Sequence, residues 1–81
     1  MNAQHIFIRR LGSDPRPYCA NTVGCPDIWE LDNGDFAVIS ADITNAAGIL
    51  PPTAGCGPDE RIVRIPRKTL VLAKSDIPNQ I

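Results

Sequence analysis

Asn33-Gly34 lies between two short runs of apolar and alternating residues, 28–31 and 36–39, and no other pair in the chain restricts the fold as much. Asn-Gly in that setting is the strongest short-range signal for a β-hairpin, because a two-residue type I′ turn needs positive φ at both central positions. That turn would set the register: Leu31 opposite Phe36, Glu30 opposite Ala37, Trp29 opposite Val38 and Ile28 opposite Ile39. Trp29, Leu31, Phe36 and Val38 would then share one face, which is expected to be buried. The second strand is expected to run on through Ala41, Asp42, Ile43 and Thr44.

The other regular elements are placed around this hairpin. Residues 5–11 read as a first strand, with Ile6 and Ile8 on one face and His5, Phe7 and Arg9 on the other. Residues 61–65 read as another, with Val63 and Ile65 opposite Ile62 and Arg64. Between them lie two stretches, 12–26 and 45–60, whose Gly and Pro content leaves no room for a regular element. After Pro66, residues Leu70, Ala73 and Ile77 fall at helical spacing, with Pro66 suited to the first helical position and Pro78 to the stop. A buried strand over 69–73 is the alternative, and the helix is preferred. The expected fold is α+β: a small antiparallel sheet of three or four strands built on the 28–43 hairpin, with long loops and a C-terminal helix.

Eighty-one residues make one domain, 1–81, with a modest core, since small domains bury a smaller fraction of their surface than large ones. A formal charge of −1 gives no general attraction to nucleic acid, but its distribution is uneven. From Pro17 to Glu60 there is no Lys or Arg, whereas Asp27, Glu30, Asp32, Asp35, Asp42, Asp59 and Glu60 all fall there. Arg9, Arg10 and Arg16 precede this acidic segment, and Arg61, Arg64, Arg67, Lys68 and Lys74 follow it. Basic strands are therefore expected beside the acidic hairpin, pairing with it on the surface. Nucleic acid is a disfavoured partner, because Trp29 and Phe36 are expected to be buried and Tyr18 stands alone, which leaves no stacking platform. The amino terminus lacks the plan of a secretory signal, and no apolar run approaches the length of a membrane span. A cytoplasmic location with no membrane partner is the expectation.

Cys19, Cys25 and Cys56 all lie in the two long loops. With His5 they make a candidate three-thiolate, one-imidazole zinc set, although the Cys19–Cys25 spacing is wider than usual zinc pairs have. A Cys19–Cys25 disulfide is a second option. Three ordinary thiols, as a reducing compartment would keep them, is the preferred one. Nucleophilic catalysis would need a thiol or serine beside His5, the only histidine, and no nucleophile motif surrounds any of them. Asp32 and Asp35 flank the turn, where short acidic residues serve the turn itself rather than acid–base chemistry.

One resemblance bears on these residues. Cys25-Pro26-x-Ile28-Trp29, then Asp32-x-Gly34-Asp35-Phe36-x-Val38 and, later, Ile65-Pro66-Arg67 are similar to motifs in a group of short uncharacterised actinobacterial proteins. The resemblance spans about half the chain and implies a small bacterial cytoplasmic domain with no assigned activity. The expected function is a non-enzymatic protein-interaction module or accessory subunit, bound to another protein or to itself, with no cofactor. Its candidate contact residues are Ile49 and Leu50, in an apolar loop segment, and the basic Arg64 and Lys68. The alternatives are a zinc-stapled regulatory domain that contacts nucleic acid and a cysteine-dependent enzyme.

Overall fold

A computed structural model describes residues 4–15, 19 and 25–81; Tyr18 and the middle of the first long loop fall outside them. Strands β1 (Phe7–Arg10), β2 (Asp27–Leu31) and β3 (Phe36–Ile39) form an antiparallel sheet in the order β1-β2-β3. Beyond Ser40 the chain continues as β4 (Ala41–Asp42), which pairs antiparallel with β5 (Val63–Arg64) in a separate two-stranded sheet. Helix α1 (Arg67–Ala73) follows, closed by a 3-10 turn over Lys74–Asp76. The α+β class, the small antiparallel sheet on a hairpin and the C-terminal helix are all present.

The hairpin forms with a different register from the one the turn dipeptide suggests. Observed partners are Glu30 with Phe36, Trp29 with Ala37, Ile28 with Val38 and Asp27 with Ile39, one residue out of step with the two-residue turn. The cause lies in the loop. Gly34 has φ +91°, but no described non-glycine residue has positive φ, so Asn33 does not take the left-handed conformation a type I′ turn requires. The loop is instead three residues long, Asp32-Asn33-Gly34. Gly34 N–H donates to Leu31 C=O (3.1 Å), and Leu31 N–H donates to Asp35 C=O (2.8 Å). This is the turn-plus-bulge hairpin in which only the last loop residue needs glycine. Asn33 supports it locally, its Oδ1 accepting from Asp35 N–H at 2.9 Å.

A one-residue slip moves side chains to opposite faces. Phe36 and Val38 lie with Ile28 and Glu30 on one face, and Trp29 and Leu31 lie with Ala37 and Ile39 on the other. The expected Trp29–Leu31–Phe36–Val38 face does not exist. Strand β1 brings a second irregularity: its register steps by one between Phe7 and Arg9, with Ile8 as the extra residue of a β-bulge. Phe7, set opposite Leu31, and Arg9, set opposite Glu30, therefore point to opposite faces, whereas simple alternation puts them together.

The helix packs on the face that carries Ile28. Leu11, Ile28 and Ala73 form one buried cluster, with Ala73 fully enclosed. Local sequence gives α1 little help, since it has seven residues, no side-chain cap at Pro66 and no acidic residue in its first turn. Tertiary anchors hold it instead. Gly12, at φ +81°, lies so close that a Cβ there would come within 3.1 Å of the backbone of Leu72 and Ala73, so no other residue fits without displacement. Gly12 N–H donates to Asp76 Oδ2 at 2.7 Å, and Arg9 Nη2 donates to Asp76 C=O at 2.8 Å. The core as a whole is small: among the described residues the buried apolar set is Leu11, Cys25, Ile28, Leu31 and Ala73.

Candidate functional site

The two edges of the three-stranded sheet are built differently, and the difference starts in their side chains. At the β1 edge, Arg9 Nε donates to Glu30 Oε1 at 2.7 Å. Arg10 lies 4.6 Å over the Trp29 ring, and its Nε reaches both oxygens of Asp27 at 3.0 and 3.1 Å. Asp27 is the buried carboxylate of the fold, and it also accepts from Ile28 N–H at 3.1 Å and Trp29 Nε1 at 2.9 Å. Donors on both oxygens offset the cost of taking a carboxylate out of water. Phe7 completes the group by meeting Trp29 edge-on, centroids 6.0 Å apart. The expected pairing of basic strands with the acidic hairpin is realised here.

The β3 edge carries no charge. Phe36, Val38 and Ile39 are 41%, 38% and 48% exposed, and the strand's outer side pairs with no strand among the described residues. Its backbone groups can be assigned direction. Since Leu31 N–H donates to Asp35 C=O, alternation makes Trp29–Ala37 and Asp27–Ile39 the hydrogen-bonded pairs, and Glu30–Phe36 and Ile28–Val38 the non-bonded ones. Strand β2 agrees on its other side: Ile28 C=O accepts from Leu11 N–H, and Asp32 N–H donates to Ile6 C=O. The N–H and C=O groups of Phe36 and Val38 therefore point outward, away from β2.

A cavity of about 210 Å³ opens between α1 and the ends of β1 and β2, lined by Leu11, Pro26, Asp27, Pro66, Lys68 and Leu72 among others. Its wall is mostly apolar, and the oxygens of Asp27 already have protein donors.

The candidate metal set is not assembled. Cys19 and Cys25 are joined in a disulfide, against the preferred expectation of three free thiols, and a disulfide sulfur is not the thiolate a zinc site needs. Cys56 is the free thiol among the described residues, with its Sγ 3.3 Å from Glu60 C=O. His5 Nδ1 lies 3.3 Å from Asp32 Oδ1, and that contact holds the Asp32 carboxyl below its usual range. Among the described residues, no group of three or more His, Cys, Asp or Glu side chains is placed to hold a metal ion.

The candidate contact residues are dispersed. Ile49 is 99% exposed in the second long loop beside Leu50. Arg64 lies in β5 opposite Ala41, and Lys68, in α1, lines the cavity. Between the two sheets, Ser40 Oγ donates to Arg64 C=O. Asp42 receives Thr44 N–H at 2.9 Å, Thr44 Oγ1 at 2.7 Å and Arg61 Nε at 2.9 Å. These donors, Thr44 foremost and Arg61 after it, lower the Asp42 pKa to about 2. The expectation that the second strand runs on through Thr44 missed this clamp: β4 stops at Asp42 and a 3-10 turn covers Thr44–Ala46, and the sequence signal for it is the Asp-x-Thr spacing of a side-chain turn.

Compared with protein-family profiles, curated proteins and solved structures, the chain matches none. Among the described residues no helix is long and apolar enough to cross a membrane.

Proposed function

We propose that this protein is a small non-enzymatic interaction module, an accessory subunit that acts by binding another protein chain. One observation carries the reading: a strand edge with outward main-chain groups and three exposed apolar side chains, Phe36, Val38 and Ile39, in a domain with so few buried residues. Edges of this kind add a strand from a partner, with main-chain hydrogen bonds supplying affinity and alternate side chains specificity. The zinc-stapled and cysteine-enzyme readings are supported less well, because two of their thiols are occupied by each other and His5 is engaged with Asp32.

The test is capture from the native cell with chemical cross-linking, comparing the parent with a Phe36→Lys, Val38→Lys double variant that retains the parent's circular dichroism. A protein held by the parent and released by the variant is the expected result. Identical recovery with both would overturn the reading. Protein alkylated at lysis is expected to show one reactive thiol, Cys56, with the Cys19–Cys25 disulfide intact; three reactive thiols would overturn the disulfide and favour the reducing, cytoplasmic location expected from the sequence.

A further inference from the structure

We propose that the occupant of the β3 edge is a second copy of this chain, paired antiparallel so that two three-stranded sheets become one of six strands. The proposal rests on the interaction-module reading and names its partner. The edge is self-complementary in its main chain. Phe36 and Val38 hold the outward N–H and C=O groups, so an antiparallel copy related by a two-fold axis through Ala37 sets Phe36 against Val38 of the second copy, and Val38 against its Phe36. Each of these is a bonded pair that exchanges two hydrogen bonds, four bonds in all. The two-fold relation keeps corresponding faces on the same side, as an isologous interface requires.

The side chains fit the same register. Phe36 and Val38 lie on one face, so each aromatic ring meets a β-branched side chain across the junction, a favourable cross-strand combination. Charge is compatible as well. β3 has no ionisable residue, and the neighbouring Asp35 falls opposite Ile39 of the second copy rather than opposite its Asp35, so like charges do not meet. The β1 edge offers the contrast: a bulge at Ile8 and the charged Arg9 and Arg10 break the flat, apolar surface that a copy would need. Of the two edges of this sheet, the β3 edge lacks such protection among the described residues. With four hydrogen bonds and two apolar pairs the interface is below the standard size, so association is expected to be weak and to become detectable as the concentration rises towards millimolar.

The experiment is sedimentation equilibrium of the full chain from micromolar to millimolar concentration, with three variants. The parent is expected to dimerise. Val38→Pro removes an outward N–H that β2 does not use and is expected to weaken dimerisation about tenfold or more. If that variant fails to fold by circular dichroism, Val38→Lys takes its place with the same expected loss. Ala37→Cys in a Cys56→Ser background is expected to form a covalent dimer on mild oxidation, since the two-fold axis brings position 37 against itself in a non-bonded pair. Phe36→Cys in the same background is expected to cross-link poorly. A parent that stays monomeric up to millimolar concentration would overturn self-association while leaving capture of a different protein intact. A dimer insensitive to both position-38 variants, or one that cross-links better at position 36 than at 37, would overturn the edge or its register.

Discussion

The β1 and β3 strands flank the same central strand, yet one edge is closed by side chains and the other is left bare. Arg9 and Arg10 each bond to β2, Arg9 through Glu30 and Arg10 through Asp27 and over the Trp29 ring, and Arg9 also reaches the Asp76 carbonyl beyond it. Strand β3 has the same length of four residues but contributes only Phe, Ala, Val and Ile. The lesson is that the fold's stability and its capacity for contact are carried at opposite sides of one small sheet. A side built from charged hydrogen bonds holds the helix and the first loop, and a side built from open main chain holds nothing within the described residues.

That division can be broken experimentally, and the largest effect is expected at the closed side. Asp27→Ala strips Arg10 of its main partner and leaves Trp29 Nε1 and Ile28 N–H without their acceptor. It should cost about 3 kcal/mol, measured by urea unfolding. Gly12→Ala comes next, because it combines a left-handed φ with a 3.1 Å approach to the α1 backbone. The expected loss is about 1–2 kcal/mol in the same assay. At the open side, Val38→Thr keeps the β-branched shape and should change monomer stability by no more than about 0.5 kcal/mol. A loss there equal to that of Asp27→Ala would erase the distinction between the two edges.

The junction beyond β3 gives the smallest effect, visible only in acid. The Asp42 carboxyl titrates at about 2 in the folded chain, against 3.8 for an unperturbed aspartate. A carboxylate with a depressed folded pKa stabilises above its unfolded value, and that contribution is lost as pH falls through the folded one. Thermal stability should therefore decline between about pH 4 and pH 2, and Thr44→Val, which removes the principal donor, should flatten that part of the profile. A Thr44→Val profile that overlays the parent's would dissociate Asp42 from the second sheet's stability.

The existence of the hairpin, the terminal helix and the charge pairing between strands was legible in residues 5–11, 28–43 and 66–77. Its register was not, because Asn33-Gly34 serves two turns equally well. The choice between them depends on Asn33 accepting from Asp35 N–H rather than taking a positive φ. That one-residue difference displaced Trp29 from the expected face and hid the Asp27–Arg10–Trp29 group, which also depends on a bulge at Ile8 that no local propensity announces. The Cys19–Cys25 disulfide was passed over in favour of three free thiols, because spacing alone does not show which loop sulfurs the fold brings together. The open edge of β3 was invisible for a simpler reason: edge or centre is decided by strand order, a property of the whole sheet.

Backbone amide exchange along β3, followed by NMR as a function of chain concentration, tests the open edge most directly. In dilute solution Ala37 and Ile39, which donate to β2, should be protected, and Phe36 and Val38 should exchange rapidly, an alternation along four consecutive residues. Raising the concentration should slow Phe36 and Val38 while leaving the other two unchanged. Equal protection of all four amides at every concentration would show the edge already covered within one chain, and would contradict the account.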